Sequence, residues 1–264
     1  MKKRMIPLLC ALLLMGCAAQ EPEETPAETT VIPIVAPTEA PTESTAETST
    51  EASHSALYIP GVPVEDVITY FNEVCLNAEF INGGDPSFLQ RWEEPILFTV
   101  HGHPTEDDWT HILEFSALLN TITGFPGMYE AGPEDFSNLR IHFRDQQGLL
   151  DIMGDSFAGM DGAVTFWYDN DVIFDANICV RTDLDQHLRN SVILEEIYNG
   201  LGPIQDTTLR PDSIIYSEFS QPQALTEMDE LILRLLYHPD MKCGMNADEC
   251  EAVIRALYYE GDTP

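Results

Sequence analysis

The stretch Glu195-Glu196-Ile197-Tyr198-Asn199-Gly200-Leu201-Gly202-Pro203-Ile204-Gln205-Asp206 constrains this chain more than any other. A helix that begins near Asp185 carries two adjacent carboxylates and must stop at Gly202-Pro203. Glycine accepts the left-handed backbone that closes many helices, and proline cannot continue one. Residues four apart share a helix face, so Glu195 and Asn199 lie together, whereas Glu195 and Glu196 do not face each other. After Gly202 a loop rich in turn residues runs to Pro211.

The elements before and after this helix follow from periodicity. Val67, Tyr70-Phe71, Val74 and Ala78 recur at helical spacing, which predicts a helix over Val64 to Phe80, broken by Gly83-Gly84-Asp85-Pro86. Trp92 and Pro95 lead into a strand from Ile96 to His101. Thr105 and Asp108 form a capping-box-like pair at the start of a helix with Trp109, Ile112, Ser116 and Leu119 inward. Leu139, Ile141 and Phe143 alternate as a second strand. Ala163 to Tyr168 and Val172 to Val180 are two more, joined by the turn Asp169-Asn170-Asp171. Beyond the central helix, Thr226 and Asp229 cap a helix with a Met228, Leu231-Ile232, Leu235-Leu236 stripe. Asn246 and Glu249 start a last helix to about Tyr258. The expected class is α+β, with a small, mostly parallel twisted sheet, the central helix and C-terminal helices.

The chain divides into three parts. Residues 1–16 are a lipoprotein signal peptide: Lys2-Lys3-Arg4, an apolar run from Ile6 to Met15, and the lipobox Leu14-Met15-Gly16-Cys17. The run is too short to span a membrane. Cleavage before Cys17 would leave that residue lipidated and the chain held to the extracytoplasmic face of the cell membrane, its partner there being the lipid bilayer. Residues 17–56 are an acidic linker rich in Pro, Thr and Glu and without Lys or Arg, too poor in apolar surface to offset the entropy of ordering. Residues 57–264 are long enough for one domain with a sizeable core. The net charge of −33 makes nucleic acid an improbable partner, because phosphate contacts need a basic patch. Cys75, Cys179, Cys243 and Cys250 remain in the exported domain. Three disulfide pairings are open to four cysteines, and Cys243–Cys250, close in sequence, is the expected bridge.

The central stretch resembles the active-site helix of a metzincin zinc protease, H-E-x-x-H-x-x-G-x-x-H, with Gly202 as its glycine. Glu196 then takes the general-base position, Glu195, Asn199 and Gln205 take the three histidine positions, and Asp206 follows as in matrixins. Ser213-Ile214-Ile215-Tyr216 resembles the Met-turn, with Ile215 at the methionine. Leu225-Thr226, Asp229 and Leu233-Arg234-Leu235-Leu236-Tyr237 resemble the closing matrixin helix. From about Val64 to about Tyr258 the arrangement is similar to a family of secreted bacterial proteins classed as a domain of unknown function. That family reads E-E-x-x-Q-x-L-G, S-I-F, L-T-x-x-D and L-Y-x-P…G-M; Asn199 stands at its Gln, and Pro239 and Gly244-Met245 fit its last motif. The resemblance implies a zincin-like fold.

The residues themselves argue against zinc. Zinc sites use thiolate, imidazole and carboxylate, and the neutral amides of Asn199 and Gln205 are poor ligands. The expected function is a surface-anchored lipoprotein with a catalytically degenerate metzincin-like domain, a binding or scaffold module for a peptide or cell-envelope protein, with no cofactor. The alternative is a hydrolase using Glu195 and Glu196 as acid and base, or holding a divalent cation through oxygens. A cell-envelope spacer without a ligand is the plainest option. His101 and His103 alternate at a strand end and, with His111 or His142, form a weaker metal candidate with no diagnostic spacing.

Overall fold

The computed structural model describes residues 57–76, 88–132, 134–218 and 221–258. The expected signal segment, Cys17, the expected linker, the Gly83-to-Pro86 break and any extension of the first helix past Leu76 lie outside the described residues. What is described is a mixed α/β fold with six α-helices and a mostly parallel sheet. In chain order these are α1 (Val64–Leu76), β1 (Arg91–Trp92), β2 (Ile96–Gly102), α2 (Glu106–Leu119), β3 (Met128–Glu130), β4 (Leu139–Arg144), α3 (Gln146–Met153), β5 (Gly162–Asp169), β6 (Val172–Arg181), α4 (Gln186–Gly200), α5 (Glu227–Leu236) and α6 (Ala247–Leu257). A single 3-10 turn, Asp155–Phe157, follows α3. Among the described residues no helix is long and apolar enough to cross a membrane.

Strands run β3-β2-β4-β6, all parallel, and β1 adds two parallel residues at the start of β6. Among the described residues the hairpin partner β5 pairs with β6 alone, antiparallel. Its two-residue loop, Asn170-Asp171, has φ of 51° and 64°, the backbone that matches the twist of a tight hairpin. A bulge lies between Trp167 and Tyr168. Alternation divides the sheet into two faces. Val100, Ile141, Ile178 and Val164 stand in one cross-strand row. His101, His142, Cys179 and Ala163 stand in the next, on the other side.

Helix α4 crosses the apolar side. A Cβ added to Gly200 would touch Val164 Cγ2 at 3.3 Å and Ile178 Cδ1 at 3.8 Å, so its last turn sits on β5 and β6. The helix is buried nearly all round, which forces its polar residues to find partners. Arg189 Nε donates to Asp108 Oδ1 at 2.8 Å, joining α4 to the capping box of α2. At the other end the open carbonyls are satisfied from the core: Trp92 Nε1 donates to Gly200 O at 2.9 Å and Tyr237 Oη to Leu201 O at 2.7 Å. Gly202 then turns at φ 130°, where a Cβ would stand 2.5 Å from Gln90 O. Only glycine fits there.

The capping pairs at Thr105–Asp108, Thr226–Asp229 and Asn246–Glu249 all form. The expected Cys243–Cys250 bridge does not: all four cysteines of the domain are free thiols. Cys250 is fully buried on α6, whereas Cys243 directs its sulfur at the carbonyl of Arg91, 3.8 Å away. Nearness in sequence was outweighed by side-chain direction.

Candidate functional site

The acids of α4 meet the sheet at the first residue of β5. A Cβ on Gly162 would come 2.4 Å from Val192 Cγ1, 2.7 Å from Glu196 Oε1 and 2.8 Å from Glu196 Cγ. Glycine here lets the strand approach the helix and fixes the Glu196 side chain at the beginning of the hairpin edge. Glu196 is 7% exposed. Glu195 is partly buried beside it.

After Gly202 the chain returns toward the domain. The backbone N–H of Gln205 donates to Val74 O of α1 at 3.2 Å. Thr207 forms a parallel bridge with Tyr216, and its hydroxyl donates to Glu73 Oε2 at 2.9 Å. This path brings the carboxylate of Asp206 close enough to act on both glutamates. Burial pushes the Glu195 carboxyl up to about 8, and the charges of Asp206 and Asp161 add to it. Burial also pushes Glu196 well above the usual carboxylate range, reinforced by Glu195 and Asp206. The two groups thus share one environment although helix geometry turns neighbouring residues apart.

Of the sequence-derived positions, Glu195, Glu196 and Asn199 lie on α4 as expected, with the Asn199 Oδ1 covered from solvent and without a hydrogen-bond partner. Gln205 is held by its backbone, and the residue whose charge reaches the helix is its neighbour Asp206. Sequence reasoning missed Gly162 and Asp161. A glycine opening an alternating strand is the signal that marks a close backbone approach.

These residues do not fit a zinc ion. Asn199 offers an amide oxygen, and burial favours protonated Glu195 and Glu196 over ligand-ready carboxylates. Among the described residues no three His, Cys, Asp or Glu side chains gather as metal ligands. His101 and His142 stack across β2 and β4 with ring centroids 5.1 Å apart, and His103 and His111 do not join them in a ligand group.

Behind the site, Asp229 is fully buried and organises the Ser213-Ile214-Ile215 turn. Ser213 Oγ donates to its Oδ1 at 2.7 Å, and Ile214 N donates to Oδ2 at 3.2 Å. Thr226 gives Oδ2 both its backbone N–H, at 3.0 Å, and its hydroxyl, at 2.8 Å. Tyr70 Oη lies 2.8 Å from Ser213 Oγ, and Tyr198 Oη of α4 donates to the Asp229 carbonyl at 3.0 Å. The turn, α5 and α4 are therefore one hydrogen-bonded unit. Ile215 is fully buried.

No curated protein matches the chain. The family described as "Protein of unknown function (DUF2927)" matches residues 65–256, from the first turn of α1 to the last of α6, and the chain belongs to that family.

Proposed function

We propose that the domain is a zincin-like scaffold that has lost its zinc ligands and binds an extended peptide segment along β5 without cleaving it. The observation that carries this reading is the seating of Glu196 against Gly162. It sets the motif helix beside the first residue of a strand that, among the described residues, pairs on one side only. Unpaired N–H and C=O groups on such an edge are a template for an added strand. The parallel sheet with one antiparallel strand next to α4, the returning loop at Asp206 and the Asp229-held turn support the zincin-like part of the reading. The lipobox at Cys17 supports anchorage of the chain to the outer face of a membrane, with a peptide or envelope protein as partner.

The test is a binding and cleavage assay with a mixed peptide library, followed by mass spectrometry. The reading expects retained, intact peptides and a loss of retention when Thr165, at the centre of β5, is replaced by proline. Chelator-sensitive cleavage would overturn it.

A second reading has its own observation. A carboxyl that titrates near 8 is suited to deliver a proton at neutral pH, so Glu195 and Glu196 form an acid/base pair for hydrolysis. Glu196→Gln would abolish such an activity and leave peptide binding in place.

A further inference from the structure

We infer that the acids of α4 receive a cationic group, an ammonium or guanidinium carried by the peptide that lies along β5. This rests on the binding reading above and names the chemistry of its ligand.

Glu196 is nine-tenths buried, yet among the described residues no hydrogen-bond donor and no ion pair reaches its carboxylate or that of Glu195. Arg181 pairs with Asp161 and Asp183, Arg189 with Asp108 and Arg140 with Asp175, and Arg144, which acts on Cys179, makes no ion pair with either acid among the described residues. One turn past Glu195, the Asn199 Oδ1 is an acceptor shut away from water without a partner. Buried polar groups are ordinarily satisfied, and once ionised these acids offer only acceptors, so the cluster suits a ligand that brings donors and positive charge. An ammonium has three donors and no acceptor, and a guanidinium five. A calcium ion needs six to eight oxygens converging at about 2.3–2.6 Å, which this grouping lacks. A neutral side chain would leave the acids uncompensated.

Protons compete with such a ligand. The groups around the two acids are Asp206 from the returning loop, Asp161 ahead of β5, and Cys179 on β6, whose thiol is influenced by Glu196 and by Arg144 of β4. An arriving cation favours the ionised acids, so binding releases protons and tightens as the pH is raised toward 8.

The experiment is calorimetric titration of the full chain with blocked alanine pentapeptides whose central residue is lysine, arginine, norleucine or glutamate. The lysine and arginine peptides are expected to bind at least about tenfold more tightly than norleucine, with net proton release seen by comparing two buffers. In Glu196→Gln that preference should vanish while norleucine binding persists, which also shows that the variant is folded. If norleucine binds as well as lysine in the parent chain, the cation inference fails and the binding reading stands. If none of the four peptides binds, both fail.

Discussion

Glu196 and Gly162 are in direct contact across the helix–sheet boundary: a Cβ on Gly162 would lie 2.7 Å from Glu196 Oε1 and 2.8 Å from its Cγ. That contact joins the most buried acid of the chain's central stretch to the start of its antiparallel strand.

The contact sets the first prediction. Gly162→Ala must push Val192 and Glu196 aside in a packed interface, where overpacking costs about 1–3 kcal/mol. Denaturant unfolding should show that loss. Gly61→Ala serves as the comparison: no atom lies within 4 Å of its added Cβ, so its cost comes from backbone conformation (φ 81°) and not from contact. Peptide retention should fall in Gly162→Ala and not in Gly61→Ala.

The second concerns Asp229. Removing its carboxylate strands the buried Ser213 hydroxyl and the Ile214 and Thr226 amides, each costing about 1–3 kcal/mol when unsatisfied. Asp229→Ala should therefore destabilise by about 3 kcal/mol or more, and Ser213→Ala by about 1 kcal/mol, in chemical denaturation. Equal losses for the two would contradict the assignment of Asp229 as the hub.

The third is a pH dependence. The folded-state value of Glu195 lies above its unfolded value, so the folded chain keeps a proton that the unfolded chain gives up. The stability this contributes is complete below about 4.5 and is lost as the pH rises through about 8. Glu195→Gln, which cannot ionise, should gain on the parent chain across that window, by about 1.4 kcal/mol for each unit separating the two values. His142 works in the other direction. Burial and the stacked His101 hold it down to about 4, so its contribution is lost as the pH falls from about 6.5. Arg140 and Arg144 push the same way and Asn177 opposes them. His142→Gln should flatten the acid side of the stability profile measured by thermal unfolding.

Much of the fold is legible residue by residue. Asp185, Thr105, Thr226 and Asn246 announce their helices because a short oxygen-bearing side chain before an apolar stripe has one obvious use. The strands at Ile96, Leu139, Ala163 and Val172 alternate and are found where alternation predicts. β1 and β3 are two and three residues long, too short to carry a period, and exist because neighbouring strands supply the pairing. α3 hides behind Gly148, a poor helix former, although Asp145 caps it. At the site, Glu195, Glu196 and Asn199 follow from helical spacing. Gly162 and Asp161 do not, because their closeness to α4 is a tertiary fact more than 30 residues away in the chain. The cysteines erred for the same reason, since Cys250 points into the core and Cys243 toward Arg91.

On the proposed reading, a zincin-like frame holds acids and amides where a metal grip would need imidazoles. The most direct test of that reading is elemental analysis of the purified chain after equilibration with zinc and removal of the free ion, alongside the variant in which Glu195, Asn199 and Gln205 are all replaced by histidine. The account predicts zinc far below one ion per chain for the natural sequence and a marked rise in the triple variant. One tightly held zinc per natural chain, lost in Glu195→Gln, would contradict it.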